Sequence, residues 1–562
     1  MSHENPEWPV LTDHAGLSRF ERLLTLFTRV RPGEGRSAFL FFLHGFLLLF
    51  SYQVVKALRE AFMLAKFSAE VRAYAVAVIA LLLMFLVPAY SAVRRRLDGE
   101  RLLRAVTVFF ALNMLIFCTA AWAGAPIAFP FFVWVSIFGV MVIAQLWAFA
   151  ADSFNLKSGQ RLFPVIMVGA NLGALAGAKT AQLSVAALTP FGLMLVATII
   201  LLATLLVAGP ERRAVPDGSR PVVVEHGAPV PHLLGGIGLV LRDRYLLLIA
   251  LLVVLLNWIN TTGEFILADF VQRDAIARVA ASGGTLDKSA LITAFYGSFQ
   301  FWVTFTGLAI QLFLVARIYH HVGVRGALLV HPVIVAAGYG LIALAPMLGG
   351  FVPIFTLIRL VKIAENSIDY SLMNTTRHAL FLPVDRDAKY EGKTAIDSFF
   401  WRFGDLIQAG VVFVGLNWLG WGASQFALLN LLLALAWIAL AVAIGRQFGR
   451  KALENAINVA PEAGQPIPDL AYEPGRPFMH PVAEDAFRDA DPGDVLHLQA
   501  TLENGRPLPP WLRFDPRTRT FAGVGPMMDV LEELTITVIA SDVDGMQARS
   551  CFVVRRVTRG SD

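Results

Sequence analysis

Ionisable side chains stand inside stretches that are otherwise apolar, and their spacing sorts them into groups. In VVKALRE, Lys56, Arg59 and Glu60 lie three and four residues apart and so share one helix face. Lys56 and Glu60 are then placed to pair, which leaves Arg59 as a net positive charge. LIRLVKIAENSIDYSLMNT repeats the pattern, with Arg359, Lys362, Glu365 and Asp369 forming one polar stripe. TAIDSFFWRFGDLIQ sets Arg402 and Asp405 one turn apart, and NWINTTGEFILADF adds Asn260, Glu264 and Asp269. A charge at the centre of a membrane helix costs roughly 2.5–3.5 kcal/mol, so charges gathered this way face inward and hold a solute, a proton or one another. The stripe reads either as the wall of a wet cavity or as an ion-pair network between helices. The first cluster has a further reading, an interfacial group in the outer part of a helix roughly 40 Å long.

The elements that carry these groups are membrane spans. Hydrophobic residues make up 56% of the chain, and the mean hydropathy of +0.61 is far above that of a soluble domain. Twelve apolar stretches are long enough to cross a bilayer of roughly 30 Å as helices: 39–55, 74–93, 102–122, 127–151, 163–188, 190–208, 245–270, 291–318, 327–348, 351–374, 395–418 and 426–444. In the fifth, Gly169, Gly173 and Gly177 recur at every fourth position, which suits backbone-to-backbone helix packing, and Lys179 just beyond them reads as a cavity residue. Basic residues gather in every second connection, among them Arg94, Arg95, Arg96, Arg212, Arg213, Arg386 and Arg446. The positive-inside rule then leaves both termini cytoplasmic, as in a multi-pass protein of a bacterial inner membrane. The loop at 272–288 also carries basic residues and fits this pattern least well.

The segment 1–36 is polar and arginine-rich, with no short apolar core leading to a small-residue cleavage site, so no cleavable signal peptide is expected. A linker at 210–244 divides the spans into halves at 37–209 and 245–446, a six-plus-six arrangement of the major-facilitator type with substrate bound between halves. Cys118 and Cys551 are the two cysteines and give no disulfide framework. No metal-ligand spacing, nucleophile motif or phosphate-binding glycine loop occurs, so no enzyme, metal, cofactor or nucleic-acid partner is expected.

Three stretches carry a resemblance: the first helix with its basic and acidic cluster, WAFAADSFNLKSGQRLFPVIMVGANLGALAGAKT, and YSLMNTTRHALFLPVDRDAKYEGKTAIDSFFWRFGDLIQ. They combine Asp152, Lys157, Arg161, Phe163 and Pro164 in one motif, and Tyr370, Pro383, Gly392, Lys393, Asp397 and Gly404 in the other. The chain resembles, over residues 35–445, the ATP/ADP translocase (nucleotide transporter) family of plastids and intracellular bacteria. The resemblance implies a twelve-helix carrier that exchanges nucleotides and binds ATP or ADP. Arg59 stands where that family has lysine, while Glu60 and Glu264 match its acidic positions. Its fourth-helix glutamate falls on Val135, and its eleventh-helix lysine falls on Asp405. A triphosphate wants several fixed cations along its path, and aspartate in place of lysine removes one. The implied substrate is thus a nucleotide or another anionic metabolite.

The last stretch changes character. Residues 451–562 hold 17 Asp and Glu against 11 Lys and Arg, a net of −6 that leaves +11 on the rest. After a linker at 447–468, alternating segments such as VLHLQAT, ELTITVIASDVDG and FVVRRV have the period and β-branched content of strands. LPPWLRFDPRTRTFAGVGP, with ELTITVIASDVDGMQARSCFVV after it, resembles the cadherin-like, immunoglobulin-type repeat of bacterial surface proteins. That implies a β-sandwich over 469–558, with Trp511 anchoring the core and a turn near Gly523 starting the next strand. Asp542 and Asp544 are candidate calcium ligands, with a solvated turn as the plainer reading.

The expected protein is therefore an all-α polytopic membrane bundle with a C-terminal β-sandwich, working as a secondary transporter. Its expected cavity residues are Lys56, Arg59, Glu60, Lys179, Glu264, Arg359, Lys362, Glu365, Arg402 and Asp405. The rival reading is a non-transporting membrane anchor that presents the β domain to a protein partner.

Overall fold

A computed structural model of the chain describes residues 33–94, 99–207, 233–347, 353–384, 391–454, 460–489, 495–527, 533–542 and 545–557, with Glu21, Arg31 and Val215 beside them. The chain divides into a helical unit and a C-terminal unit, the latter running from Phe448.

Long aliphatic and aromatic runs, broken by a few charged and polar residues, build the helical unit. A first group holds α1 (Gly35–Lys66), α2 (Ala69–Arg94), α3 (Gly99–Trp122), α4 (Ala128–Ser153) and α5 (Leu156–Val207). A second group holds α6 (Leu233–Arg242), α7 (Arg244–Ala281), α8 (Lys288–Phe313), α9 (Val315–Leu344), α10 (Ile354–Ile368), α11 (Asn374–Ala379), α12 (Trp401–Asn417) and α13 (Ala423–Glu454). Among the described residues, nine helices are long and apolar enough to cross a membrane. The longest of these, Arg161–Val207, takes in two expected spans, parted where Thr189 leaves helical geometry before Pro190. The spans expected at 291–318 and 351–374 fall on α8 and α10. Hydroxyl and amide residues dilute α8, and α10 carries three charges and runs only 15 residues before a π-helical turn at Asp369–Met373. A second π-helical turn, Ile396–Phe400, leads into α12. Single π turns inside helices often mark functional positions.

The glycine repeat seats α5 on α1. A Cβ added at Gly169, Gly173 or Gly177 would strike the carbonyl oxygen of Phe42, Phe46 or Phe50 respectively, so the two backbones touch along two turns. Gly297 of α8 does the same against α5, where an added Cβ would lie 2.6 Å from the Gln182 nitrogen and 2.8 Å from the Ala178 oxygen. At the end of the bundle where α1 gives way to α2, side chains of the second group reach across to the first. Gln272 donates to the Leu64 and Phe67 carbonyls at 2.8 and 2.7 Å, and Asn417 donates to Glu70 at 2.9 Å.

The C-terminal unit is built of strands. One sheet orders Leu470–Tyr472 (β2), Gln547–Arg556 (β9), Glu533–Ser541 (β8) and His497–Leu502 (β5). The other orders Pro477–Pro481 (β3), Thr520–Val524 (β7) and Leu512–Asp515 (β6), and a short pair joins Glu462–Ala463 (β1) to Phe487–Arg488 (β4). Phe521 from one sheet and Ile536, Val538 and Phe552 from the other share a single core.

Two details differ from expectation. Trp511 packs at the edge of that core, against the Tyr472 ring at 5.5 Å, while Phe521 is the fully buried aromatic. Gly523 lies within β7, and the turn comes earlier, at Arg519 with φ 51°. Glycine serves there because an added Cβ would strike the Trp511 carbonyl. Asp542 closes its own turn by accepting from the Met546 N–H at 2.8 Å, while Asp544 lies outside the described residues. Among the described residues no cluster of three or more potential metal ligands occurs.

Candidate functional site

Glu60 emerges from α1 almost wholly buried and draws two arginines to itself. Arg72 reaches it at 2.6 Å from the first turn of α2, and Arg59 at 2.9 Å from the neighbouring position. Arg59 also donates to the Ser136 hydroxyl on α4 at 2.9 Å, and both guanidiniums lie over the Phe132 ring, at 5.0 and 5.8 Å. The expected pairing of Lys56 with Glu60 is therefore corrected. Arg72, arriving from a second helix, offers Glu60 a closer, two-point partner, and Lys56 turns to Gln300 of α8 at 3.1 Å.

The second helix group holds a matching cluster. Lys362 is 1% exposed on α10 and sits 3.0 Å from Glu365, whose other donor is the Tyr339 hydroxyl of α9 at 2.8 Å. Glu264 of α7 joins the two clusters, 3.7 Å from Lys362 and 3.6 Å from Arg72, and accepts from Asn366 at 3.0 Å. The network thus sets three cations against three carboxylates. Gly263 makes room for it, since a Cβ there would strike the Tyr339 hydroxyl and lie 2.9 Å from the Lys362 side chain.

Next to this network lies a cavity of about 220 Å³ between the two helix groups. Arg59, Arg72 and Arg402 line it, with Asp405 as its carboxylate and Tyr52, Phe132 and Trp401 as its aromatic walls. Asp405 accepts from Asn257 at 2.7 Å and holds Arg402 at 3.6 Å. Two guanidiniums over the Phe132 ring and a third lining the same cavity are a donor set suited to an anion with planar or phosphate-like oxygens.

Of the expected residues, Arg59, Glu60, Glu264, Lys362 and Glu365 come together in one network, and Arg402 and Asp405 line the cavity beside it. Lys56 contacts Gln300, and Arg359 donates to Ser298 at 2.8 Å over the Phe295 ring. Lys179 stands apart, exposed, bonded to Gln182 at 3.1 Å and lying over Phe301. Asp269 pairs with Arg273 on its own helix. Val135 is fully buried in an apolar cluster, and its neighbour Ser136 makes the polar contact to Arg59.

Arg72, Tyr339 and Asn257 were not among the expected cavity residues. Arg72 reads in the sequence as a basic residue of a connection, although Ala69, Ala73 and Val76 around it already mark a helix face. Tyr339 offers a weaker signal, a lone hydroxyl in an apolar run that has to find a partner once buried.

Comparison with known proteins matches these features in two regions. Residues 229–448 match the family model described as TLC ATP/ADP transporter, and residues 459–557 match the one described as "Putative Ig domain". The chain is 23% identical over 377 residues to ADP,ATP carrier protein 1 of Chlamydia pneumoniae, covering 60% of this chain and 70% of that protein. It is 28% identical over 139 residues to ADP,ATP carrier protein 1 of Chlamydia trachomatis, covering 22% of this chain and 26% of that one. In fold it is similar to a mutant of the nucleoside transporter NupG, with a TM-score of 0.53 at 12% identity over 74% of this chain and 99% of that one. It is likewise similar to a bacterial homologue of the iron transporter ferroportin in its inward-facing state, with a TM-score of 0.51 at 12% identity over 74% and 98% of the two chains. Helix bundle and family matches agree: the chain is a secondary transporter whose residues 229–448 match the TLC ATP/ADP transporter model and whose residues 459–557 match an Ig-type one.

Proposed function

We propose that the protein carries nucleotides or a related anionic metabolite by alternating access between two six-helix halves, 37–209 and 245–446. In this reading there are twelve spans, the termini face the cytoplasm of a bacterium, and the Ig-type unit at 469–558 binds a protein. The single observation that carries it is the cavity lined by Arg59, Arg72 and Arg402 between the two helix groups. Its volume of about 220 Å³ is below the roughly 300–1,000 Å³ of pockets for drug-sized ligands. In this conformation it suits the phosphate end of a solute, and a whole nucleotide needs the halves to part. Lys56, Arg59, Glu60, Lys179, Glu264, Arg359, Lys362, Glu365, Arg402 and Asp405 are the proposed substrate path, now joined by Arg72. No enzymatic step enters this reading.

Liposomes holding the purified full chain test it. Uptake of labelled ADP or ATP that is competed by unlabelled nucleotide and weakened in Arg59→Ala is expected. Absence of any nucleotide or small-anion flux, in protein whose fold is intact by circular dichroism, defeats the reading.

A further inference from the structure

Two glutamates of the second helix group, Glu365 buried and Glu264 half-buried, share one lysine. Lys362 lies 3.0 Å from Glu365 and 3.7 Å from Glu264, and the second cation on Glu264, Arg72 at 3.6 Å, belongs to the first group. Other charges lie near this pair. On α10 and its π turn, Arg359 donates to Ser298, while Asp369 interacts with Arg377 and also with Lys362; Lys56, which acts on Glu264 as well, belongs with Arg59 and Glu60 to α1 and so leaves with the first group. The uncharged titratable groups close to it are Tyr296 of α8, His331 and Tyr339 of α9, and Tyr370 of the π turn. When the helix groups separate, as alternating access requires, Arg72 leaves with the first group. One buried negative charge then remains without a cation, and a carboxylate stranded in that way neutralises instead of staying charged.

We propose that Glu264 and Glu365, sharing Lys362, form a proton-binding site that couples transport to proton movement, one proton entering the pair each time Arg72 withdraws. This rests on the alternating-access reading above. The partners of both carboxylates are N–H and O–H donors, from Tyr339, Lys362, Asn366 and Arg72. Such a shell holds the carboxylates ionised while it is complete, so protonation waits for the loss of Arg72, and it lacks the cage of oxygens that a metal cation asks for. At 18% exposure Glu264 is the member open to water, and Glu365, nearly sealed, is the inner one. The proton passes from water to a carboxylate oxygen, and no bond other than O–H forms or breaks. The same separation leaves Arg59 and Arg72 sharing Glu60 alone, so the first group gains attraction for an anion as the second takes up the proton.

The full chain in liposomes provides two readouts. Infrared difference spectra between mildly acid and alkaline buffer are expected to show a protonated-carboxyl band that is lost in Glu264→Gln and in Glu365→Gln. Identical spectra in wild type and both variants overturn the site, whether or not a transported solute has been found. With labelled ADP as probe, an imposed pH gradient is expected to shift steady-state accumulation by up to about tenfold per pH unit, the limit for one coupled proton. In Glu264→Gln the ratio of accumulation with and without the gradient falls to one. ADP flux in wild type that ignores the pH gradient refutes the coupling and leaves the carrier reading standing. Accumulation driven by a sodium gradient alone also refutes it. Should neither nucleotide nor small anion move, the carrier reading fails on its own and the infrared result still decides the site.

Discussion

Arg72 and Glu264 meet at 3.6 Å across the two helix groups, while Arg72 holds Glu60 of its own group at 2.6 Å. The contact between groups is thus the looser of the two, and a solute anion that engages Arg72 competes with Glu264 before it competes with Glu60. Removing the charge in Glu264→Gln should favour the conformation open at the α1–α2 end. If the bridge contributes about 1 kcal/mol, the open fraction rises roughly fivefold. A cysteine introduced at Ala69, buried at that end in this structure, in a chain freed of Cys118 and Cys551, should then react faster with a water-soluble maleimide. An unchanged labelling rate shows that the bridge does not hold that end shut.

Arg59→Ala and Arg402→Ala each remove a guanidinium from the cavity between the groups. Charge-assisted hydrogen bonds contribute about 1.5–3 kcal/mol, so anion affinity should fall by at least about tenfold in each variant. Titration calorimetry with the transported anion reads this directly. Equal affinity in wild type and Arg402→Ala removes Arg402 from the binding surface.

Gly173→Ala should destabilise the bundle by about 1–3 kcal/mol, since the new methyl collides with the Phe46 carbonyl. Gly410→Ala is the matched control, for nothing lies within 4 Å of its added Cβ. That change sits inside α12 and should stabilise by up to about 1 kcal/mol. Thermal unfolding of the two variants in detergent compares them, and equal midpoints contradict the packing account.

His480 in β3 lies against the Phe552 ring at 5.2 Å, and its Nε2 is buried without a hydrogen-bond partner. Burial holds its pKa below the ordinary histidine value, although a backbone hydrogen bond at Pro468 works the other way. With the folded pKa depressed, the unfolded chain takes up the proton first. The stability of the C-terminal unit should therefore be fully present above pH about 6.5 and decline as the pH falls below it. Hydrogen exchange in β3 and β9 of the full chain, followed from neutral to acid pH, measures the decline. Its persistence in His480→Phe assigns it to another group.

Much of this arrangement is legible in the chain because membrane helices follow local rules. Apolar length marks the spans, the glycines at 169, 173 and 177 predict a close helix–helix contact whose partner the structure supplies as α1, and steps of three and four place Lys362 beside Glu365. What local spacing misses is pairing across helices. Glu60 takes Arg72 in preference to Lys56 because α2 folds back alongside α1, a fact of tertiary geometry. The span count blurs for a related reason. α8 and α10 carry the polar groups of the site, and those groups lower the apolar signal by which a span is recognised. In the C-terminal unit the alternation of LTITVIA fixes strand and face, whereas the turn at Arg519 depends on backbone geometry that no glycine announces.

Three carbonyls of α1 pressed into three glycine notches on α5 leave those helices no freedom to slide past one another. Whatever shape change the cycle demands must then be absorbed at other seams, such as the Gln272 and Asn417 contacts. The first helix accordingly serves as a stiff crank, delivering Arg59 and Glu60 as a single piece.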